Sequence, residues 1–249
     1  MVGARFIAPS PVHGRATVAS GLRVLVPMKG LDDAKSRLWA DVPTPERRAA
    51  VLGMLDRVVR AAVEAIGACT VVGGACTVVG GDDAVRRVAE AAGAGWTPDP
   101  ASGLNAALAS AMRAAYADGA QAALFLPADL PLIERADVLA LAEASQGYAR
   151  PVGVEAAADG GTNALLVPAS CAFEPRLGED SFAKHRAAAE AAGSPLVAVD
   201  APNIAFDVDT AADYAWAKAN VDGFASALDA WGAWLDAAPV PGGFAPRPR

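Results

Sequence analysis

The chain of 249 residues holds only two histidines, His13 and His185, and three cysteines, Cys69, Cys76 and Cys171. The cysteine count is odd and no pair has C-x-x-C spacing, so neither a disulfide framework nor a cysteine-based zinc site is expected. The three read as small buried hydrophobes in a reducing, cytoplasmic setting. There is no Gly-x-Ser-x-Gly elbow and no Cys/His pairing, so reactions that depend on an imidazole base have little to draw on. No apolar run approaches the roughly 18 residues that a membrane span needs. The stretch Arg5-Phe6-Ile7-Ala8 is too short for a signal-peptide core, and residues 1–20 are expected to be a disordered leader. A net charge of −7 without any Lys/Arg cluster speaks against a nucleic-acid surface. The Gly-x-x-x-x-Gly-Lys-[Ser/Thr] loop is also missing, which removes support for a Walker-type NTPase.

Hydrophobic residues make up 53% of the chain, enough for one sizeable core with ragged ends. Arg23–Pro27 and Ala122–Leu126 are apolar runs of buried-strand type, and further strands are expected at 151–154, 164–167, 196–199 and 204–207. Between them, Thr44-Pro45 starts a helix with apolar side chains at Leu52, Leu55, Val59, Val63 and Ile66. Asp82 or Asp83 caps the next helix, residues 103–118 are Ala-rich, and helices follow from about 135, from Ser181 and from Thr210. This alternation implies an α/β fold, a mostly parallel central sheet with helices on both faces. The heptapeptide Ala-Cys-Thr-Val-Val-Gly-Gly occurs at 68–74 and again at 75–81. Seven is odd, so both copies cannot lie in one strand with the same faces inward; one is expected as a strand and the other as a loop. After residue 222, Phe224, Leu228, Trp231, Trp234 and Leu235 mark a C-terminal helix. It either packs on the body, taken as residues 21–221, or forms a homodimer contact.

In open α/β sheets ligands bind at the carboxyl ends of strands, and three polar clusters lie there. Pro27-Met28-Lys29 with Lys35 and Arg37 brings three cations behind the first strand, suited to a triphosphate or to a solvated loop. Leu126-Pro127-Ala128-Asp129 fixes a carboxylate between prolines, as a Mg²⁺ ligand or a turn cap. Asp207 and Asp209, at i and i+2 of an expected strand, would face one way and call for a cation between them; Asp209 could also cap the helix at Thr210. Gly160-Gly161-Thr162-Asn163 and Gly178-Glu179-Asp180-Ser181 are candidate anion cradles. Nucleotidyl transfer is served by positioning and charge neutralisation, and a phosphate monoester needs no base to act as a nucleophile.

In order, Val26-Pro27-x-Lys29, Ala34-Lys35-Ser36-Arg37-Leu38, Gly103-Leu104-Asn105, Pro127-Ala128-Asp129-Leu130-Pro131, Gly161-Thr162-Asn163-Ala164-Leu165, Gly178-x-x-Ser181-Phe182 and Asp207-x-Asp209-Thr210 resemble the phosphoenolpyruvate / 2-phospho-L-lactate guanylyltransferases of coenzyme F-420 biosynthesis. The resemblance implies a Rossmann-like, GT-A-like nucleotidyltransferase fold. It implies transfer of GMP from GTP to a phosphorylated C3 acid (phosphoenolpyruvate, 2-phospho-L-lactate or 3-phospho-D-glycerate) with release of pyrophosphate. Carried over by motif, Asp129, Asp207 and Asp209 would hold Mg²⁺, and Thr162, Gly178 and Ser181 would bind the acid. Pro27, Lys29, Lys35 and Arg37 would serve the triphosphate, and Gly103, Leu104 and Asn105 would lie near the guanosine. The alternatives are a sibling transferase acting on molybdopterin or a sugar phosphate, and a non-catalytic GTP-binding protein. Leu177 stands before Gly178 where the family often has Phe, and the duplicated heptapeptide is foreign to the pattern.

Overall fold

A computed structural model describes residues 21–35, 41–68, 74–99, 103–171 and 173–237. Among the described residues, seven strands form one sheet in the order β3-β2-β1-β4-β6-β5-β7. They are β1 (Leu22–Met28), β2 (Ala75–Gly80), β3 (Gly95–Thr97), β4 (Ala122–Phe125), β5 (Val152–Glu155), β6 (Thr162–Pro168) and β7 (Val197–Ala198). Only β6 runs against its neighbours β4 and β5; the other pairings are parallel. The helices are α1 (Thr44–Ala68), α2 (Asp83–Ala91), α3 (Leu104–Ala117), α4 (Arg135–Ala144), α5 (Ser181–Ala191), α6 (Pro202–Ala205), α7 (Ala211–Asn220) and α8 (Phe224–Ala237).

Strand alternation explains how both faces are covered. Val24 and Val26 of β1, Leu124 of β4 and Leu166 of β6 point into a core shared with Leu52, Leu55 and Val59 of α1. Their neighbours Leu25, Phe125, Leu165 and Val167 point the other way and meet Leu108 and Met112 of α3. A strand buried on both sides reads as a continuous apolar run, which is why β1 and β4 are visible in the sequence. Helix α8 lies along α1. Trp231 sits over Gly53, where a Cβ would approach its ring to 3.2 Å. The Arg87 guanidinium stacks 4.6 Å above Trp234. Both indoles therefore pack on their own chain and are half-buried there.

The structure departs from the expected elements at two places. Residues 204–207 are not a strand: Pro202 opens the single turn α6, because its fixed φ and missing N–H suit a first helical position. The three-residue β3 was not anticipated, being too short to show a period. Of the duplicated heptapeptide, the second copy supplies β2, while residues 69–73 lie outside the described residues. Of the cysteines, Cys76 and Cys171 are buried and unpaired, and Cys69 falls among those not described. Among the described residues no helix is long and apolar enough to cross a membrane.

The turn after β1 is held from two sides. Arg47 of α1, 3% exposed, donates to the carbonyls of Leu31 at 3.0 Å and Ala34 at 2.5 Å. Asp82 caps α2 with one carboxylate oxygen and accepts the Leu31 N–H at 2.7 Å with the other. Gly80, at φ 89°, allows β2 to end against β1, since a Cβ there would fall 2.5 Å from the Met28 carbonyl oxygen. Arg47→Met keeps the apolar stem and deletes charged hydrogen bonds to buried carbonyls, so it should cost about 2–3 kcal/mol. Urea unfolding monitored by tryptophan fluorescence would show this. A loss below about 0.5 kcal/mol would mean that the turn is held by other contacts.

Candidate active site

Strands β1 and β4 adjoin where the sheet order changes direction, and a crevice opens beyond their carboxyl ends, the position expected for a ligand. A cleft of about 670 Å³ is lined there by Pro27, Met28, Lys29, Lys35, Val79, Asp99, Gly103, Leu104, Asp129, Gly178 and Asp209. It continues into a recess of about 510 Å³ bounded by Asp159, Thr162, Asn163 and Asp207, the two sharing Leu104, Phe125, Gly178 and Asp209 as walls. A separate groove between α1, α8 and residues 131–135 contains none of these groups.

The centre of the cleft is acidic. Asp129, Asp207 and Asp209 each place a carboxylate oxygen within 4.8 Å of the others. Asp129 leaves β4 in the turn that the flanking prolines stiffen. Residues 206–209 run past it as irregular chain outside the sheet, tied by the Val208 N–H, which donates to the Asp129 carbonyl at 3.2 Å. Val208 is fully buried, and the aspartates on either side of it meet at the cleft. The expected convergence is thus present without the expected strand. Lys35, in the left-handed region at φ 55°, sends its ammonium between Asp129 and Asp209, 2.7 Å from the latter. Burial opposes its charge, but the two carboxylates outweigh burial and hold it well above the ordinary lysine range. Asp207 is steadied by Asn163, whose side-chain amide donates to it at 3.1 Å and to the Ala205 carbonyl at 3.2 Å. Burial, and then the charge of Asp129, push the Asp207 carboxyl up to about 6.

Three carboxylates against one ammonium leave an excess of negative charge. One oxygen, Oδ1 of Asp129, is buried without a hydrogen-bond partner. An all-oxygen donor set of this kind fits a hard divalent cation, so these residues can hold a metal.

Lys29 is exposed at the cleft mouth, Pro27 is buried beside it, and Arg37 lies outside the described residues. Gly103 precedes α3 at φ 84°, and Leu104 is exposed on the cleft wall. Asn105 faces elsewhere: its amide accepts the Leu177 N–H at 2.7 Å and donates to the Leu177 carbonyl at 3.1 Å. Both halves of that amide brace the residue before Gly178, so its expected place beside the guanosine is not what the geometry provides. Ser181 is fully buried, with its Oγ 2.9 Å from that of Thr162. Two contributors escaped the sequence reading, Arg47 and His185, and Asp82 was read only as a helix cap. His185 had a signal, since it stands at i+4 from Ser181 on the same helix face.

An α/β sheet with this order, carrying cations and converging carboxylates at its switch point, has the parts that nucleotidyl transfer requires. Solved structures share the fold: a putative nucleotide-diphospho-sugar transferase from Desulfovibrio desulfuricans G20 superposes with a TM-score of 0.66 at 16% identity, covering 88% of this chain and 96% of its own. A nucleotidyl transferase from Methanothermobacter gives 0.55 at 21% identity, covering 84% and 99%. The chain belongs to the family described as Guanylyl transferase CofC like, which matches residues 22–216. Among its relatives are a phosphoenolpyruvate guanylyltransferase of Rubrobacter xylanophilus, 41% identical over 79% of this chain and 93% of that one. A 3-phospho-D-glycerate guanylyltransferase of Phenylobacterium zucineum is 35% identical over 76% and 86%.

The Asp207 carboxyl sits above its ordinary value of 3.8, so the folded chain binds that proton more tightly than the unfolded one. Stability contributed by the protonated form is complete near pH 4 and lost as pH rises through about 6. Metal-free wild type should therefore lose Tm relative to Asp207→Asn across that window, and the gap should stay constant above it. Parallel curves for the two proteins would refute the assignment.

Proposed function

We propose that this chain transfers GMP from GTP to phosphoenolpyruvate, releasing pyrophosphate, as a cytoplasmic step in the biosynthesis of deazaflavin coenzyme F-420. The observation that carries the reading is the carboxylate trio beside a lysine at the strand switch point, in a chain of the CofC-like family. 3-Phospho-D-glycerate and 2-phospho-L-lactate are the other acceptors of the same shape, each pairing a phosphate with a carboxylate. Residues 21–221 form the catalytic unit, with α8 as a buttress on α1.

In the reaction, an oxygen of the acceptor phosphate attacks the α-phosphorus of GTP, the bond to the β-phosphate breaks, and pyrophosphate departs with the electron pair. Asp129, Asp207 and Asp209 would hold Mg²⁺, which when bound supplies charge neutralisation at the phosphates. Lys29, Lys35 and Arg37 bind triphosphate oxygens, Lys35 from its place between two of the carboxylates. Gly103 and Leu104 border the nucleoside end of the cleft. Thr162 and Gly178, with Ser181 behind them, border the acceptor end. The acceptor is an anion at neutral pH, so its attack requires no histidine base.

Pyrophosphate release should be measured with Mg²⁺, crossing GTP, ATP and CTP with the three phospho-acids, with the next enzyme of the pathway added to draw off the product. Turnover is expected with GTP and phosphoenolpyruvate. Asp129→Ala should abolish it while leaving a folded chain, and Ser181→Ala should raise the acceptor KM more than the GTP KM. Silence throughout the grid from a protein that binds GTP would contradict the proposal, and so would normal turnover by Asp129→Ala.

A further inference from the structure

His185 is fully buried in α5 and lines no cleft, yet both of its ring nitrogens are engaged. The backbone N–H of Arg176 lies 2.8 Å from Nε2. A backbone N–H can only donate, so Nε2 must carry the lone pair. A neutral ring then has its proton on Nδ1. That nitrogen lies 3.0 Å from Thr162 Oγ1, so the ring donates to the threonine. Burial, with Lys184 and Arg176 nearby, keeps the imidazole neutral by lowering its pKa to about 4.

The direction of this bond has a consequence for the two hydroxyls. Thr162 cannot turn its proton inward, because the ring offers it no acceptor. Thr162 and Ser181 are 2.9 Å apart, and one of their two protons bridges them. With the fully buried Ser181 as donor of that bridge, the Thr162 proton is left for the acceptor side of the cleft, which Thr162 lines. Resting on the functional reading above, we infer that His185 is a positioning residue for the acceptor: through the relay from the Arg176 N–H to the imidazole to Thr162 and Ser181, it makes the hydroxyl pair present one outward donor to a phosphate or carboxylate oxygen. His185 touches neither substrate. It acts by fixing the tautomer and the hydroxyl orientation, as outer partners do for functional side chains elsewhere.

The test uses the full chain with GTP, Mg²⁺ and phosphoenolpyruvate. In His185→Leu the ring's hydrogen bond to Thr162 is gone, so neither the threonine rotamer nor the direction of its proton is fixed. The acceptor KM should rise about ten- to a hundredfold, the loss of one hydrogen bond to a charged group, with the GTP KM within about twofold. His185→Asn places an amide N–H near the position of Nδ1–H and should recover most of the acceptor KM. An unchanged acceptor KM in His185→Leu would overturn the inference, as would equal rises in both KM values that Asn does not rescue. If the leucine variant does not fold, nitrogen NMR of histidine-labelled wild type still decides, since the chain has only one other histidine, His13. A neutral Nδ1–H tautomer at pH 7, with a shift on adding phosphoenolpyruvate, is expected. An Nε2–H tautomer or a charged ring contradicts the relay. A wild type inactive with every phospho-acid would sink the functional reading, and the tautomer would then be judged alone.

Discussion

Three carboxylates with oxygens within 4.8 Å of one another repel, and much of the carboxyl edge of the sheet is arranged to hold them there. Asp129 is fixed by the prolines around it and by the hydrogen bond between its carbonyl and Val208. That bond also sets where Asp207 and Asp209 fall. Lys35 offsets part of the charge by lying between Asp129 and Asp209, and Asn163 fixes Asp207 from the side. The remaining negative charge, with the unpartnered oxygen of Asp129, is the reason the site suits a divalent cation. Lys35 can lie there because Arg47 and Asp82, from two helices, hold the turn that carries it.

The sheet divides labour around this centre. β1 and the start of α3 border one end of the cleft with cations and a helix N-terminus. β6, the loop before Gly178 and α5 border the other with hydroxyls and a glycine turn. The antiparallel β6 matters: it brings Thr162 and Asn163, at its first two positions, to the same edge as the carboxyl end of β4. A parallel strand in that place would put its last residues there. Gly153 of β5 lets α5 approach closely, with the Phe182 ring 3.0 Å from where a Cβ would be. This seats Ser181 and His185 behind Thr162. The two ends of the cleft therefore adjoin at the aspartates.

Much of this was legible beforehand because the physics was local. β1 and β4 are uninterrupted apolar runs, and the turns after them carry their charges in sequence, so Lys29, Lys35 and Asp129 could be placed by position alone. Asp207 and Asp209 were paired correctly for an incomplete reason: their convergence needs alternation about a buried Val208 and does not need a ladder. What stayed hidden depends on distant partners. Nothing in α1 marks Arg47 as the clamp of a turn 13 to 16 residues earlier. Asn105 looked like a nucleotide ligand because it follows Gly103-Leu104, but Leu177, 72 residues away, takes its amide. Two histidines suggest scarcity of acid–base groups, and only the fold shows the ring of His185 bonded to the Thr162 hydroxyl.

The claim on which the account rests is that Asp129, Asp207 and Asp209 form one metal site. It is tested most directly by titrating the nucleotide-free full chain with Mn²⁺ and following the free ion by electron paramagnetic resonance. The account requires one saturable site in the wild type that is lost in Asp129→Asn while the fold is kept. Undiminished Mn²⁺ binding in that variant would contradict it.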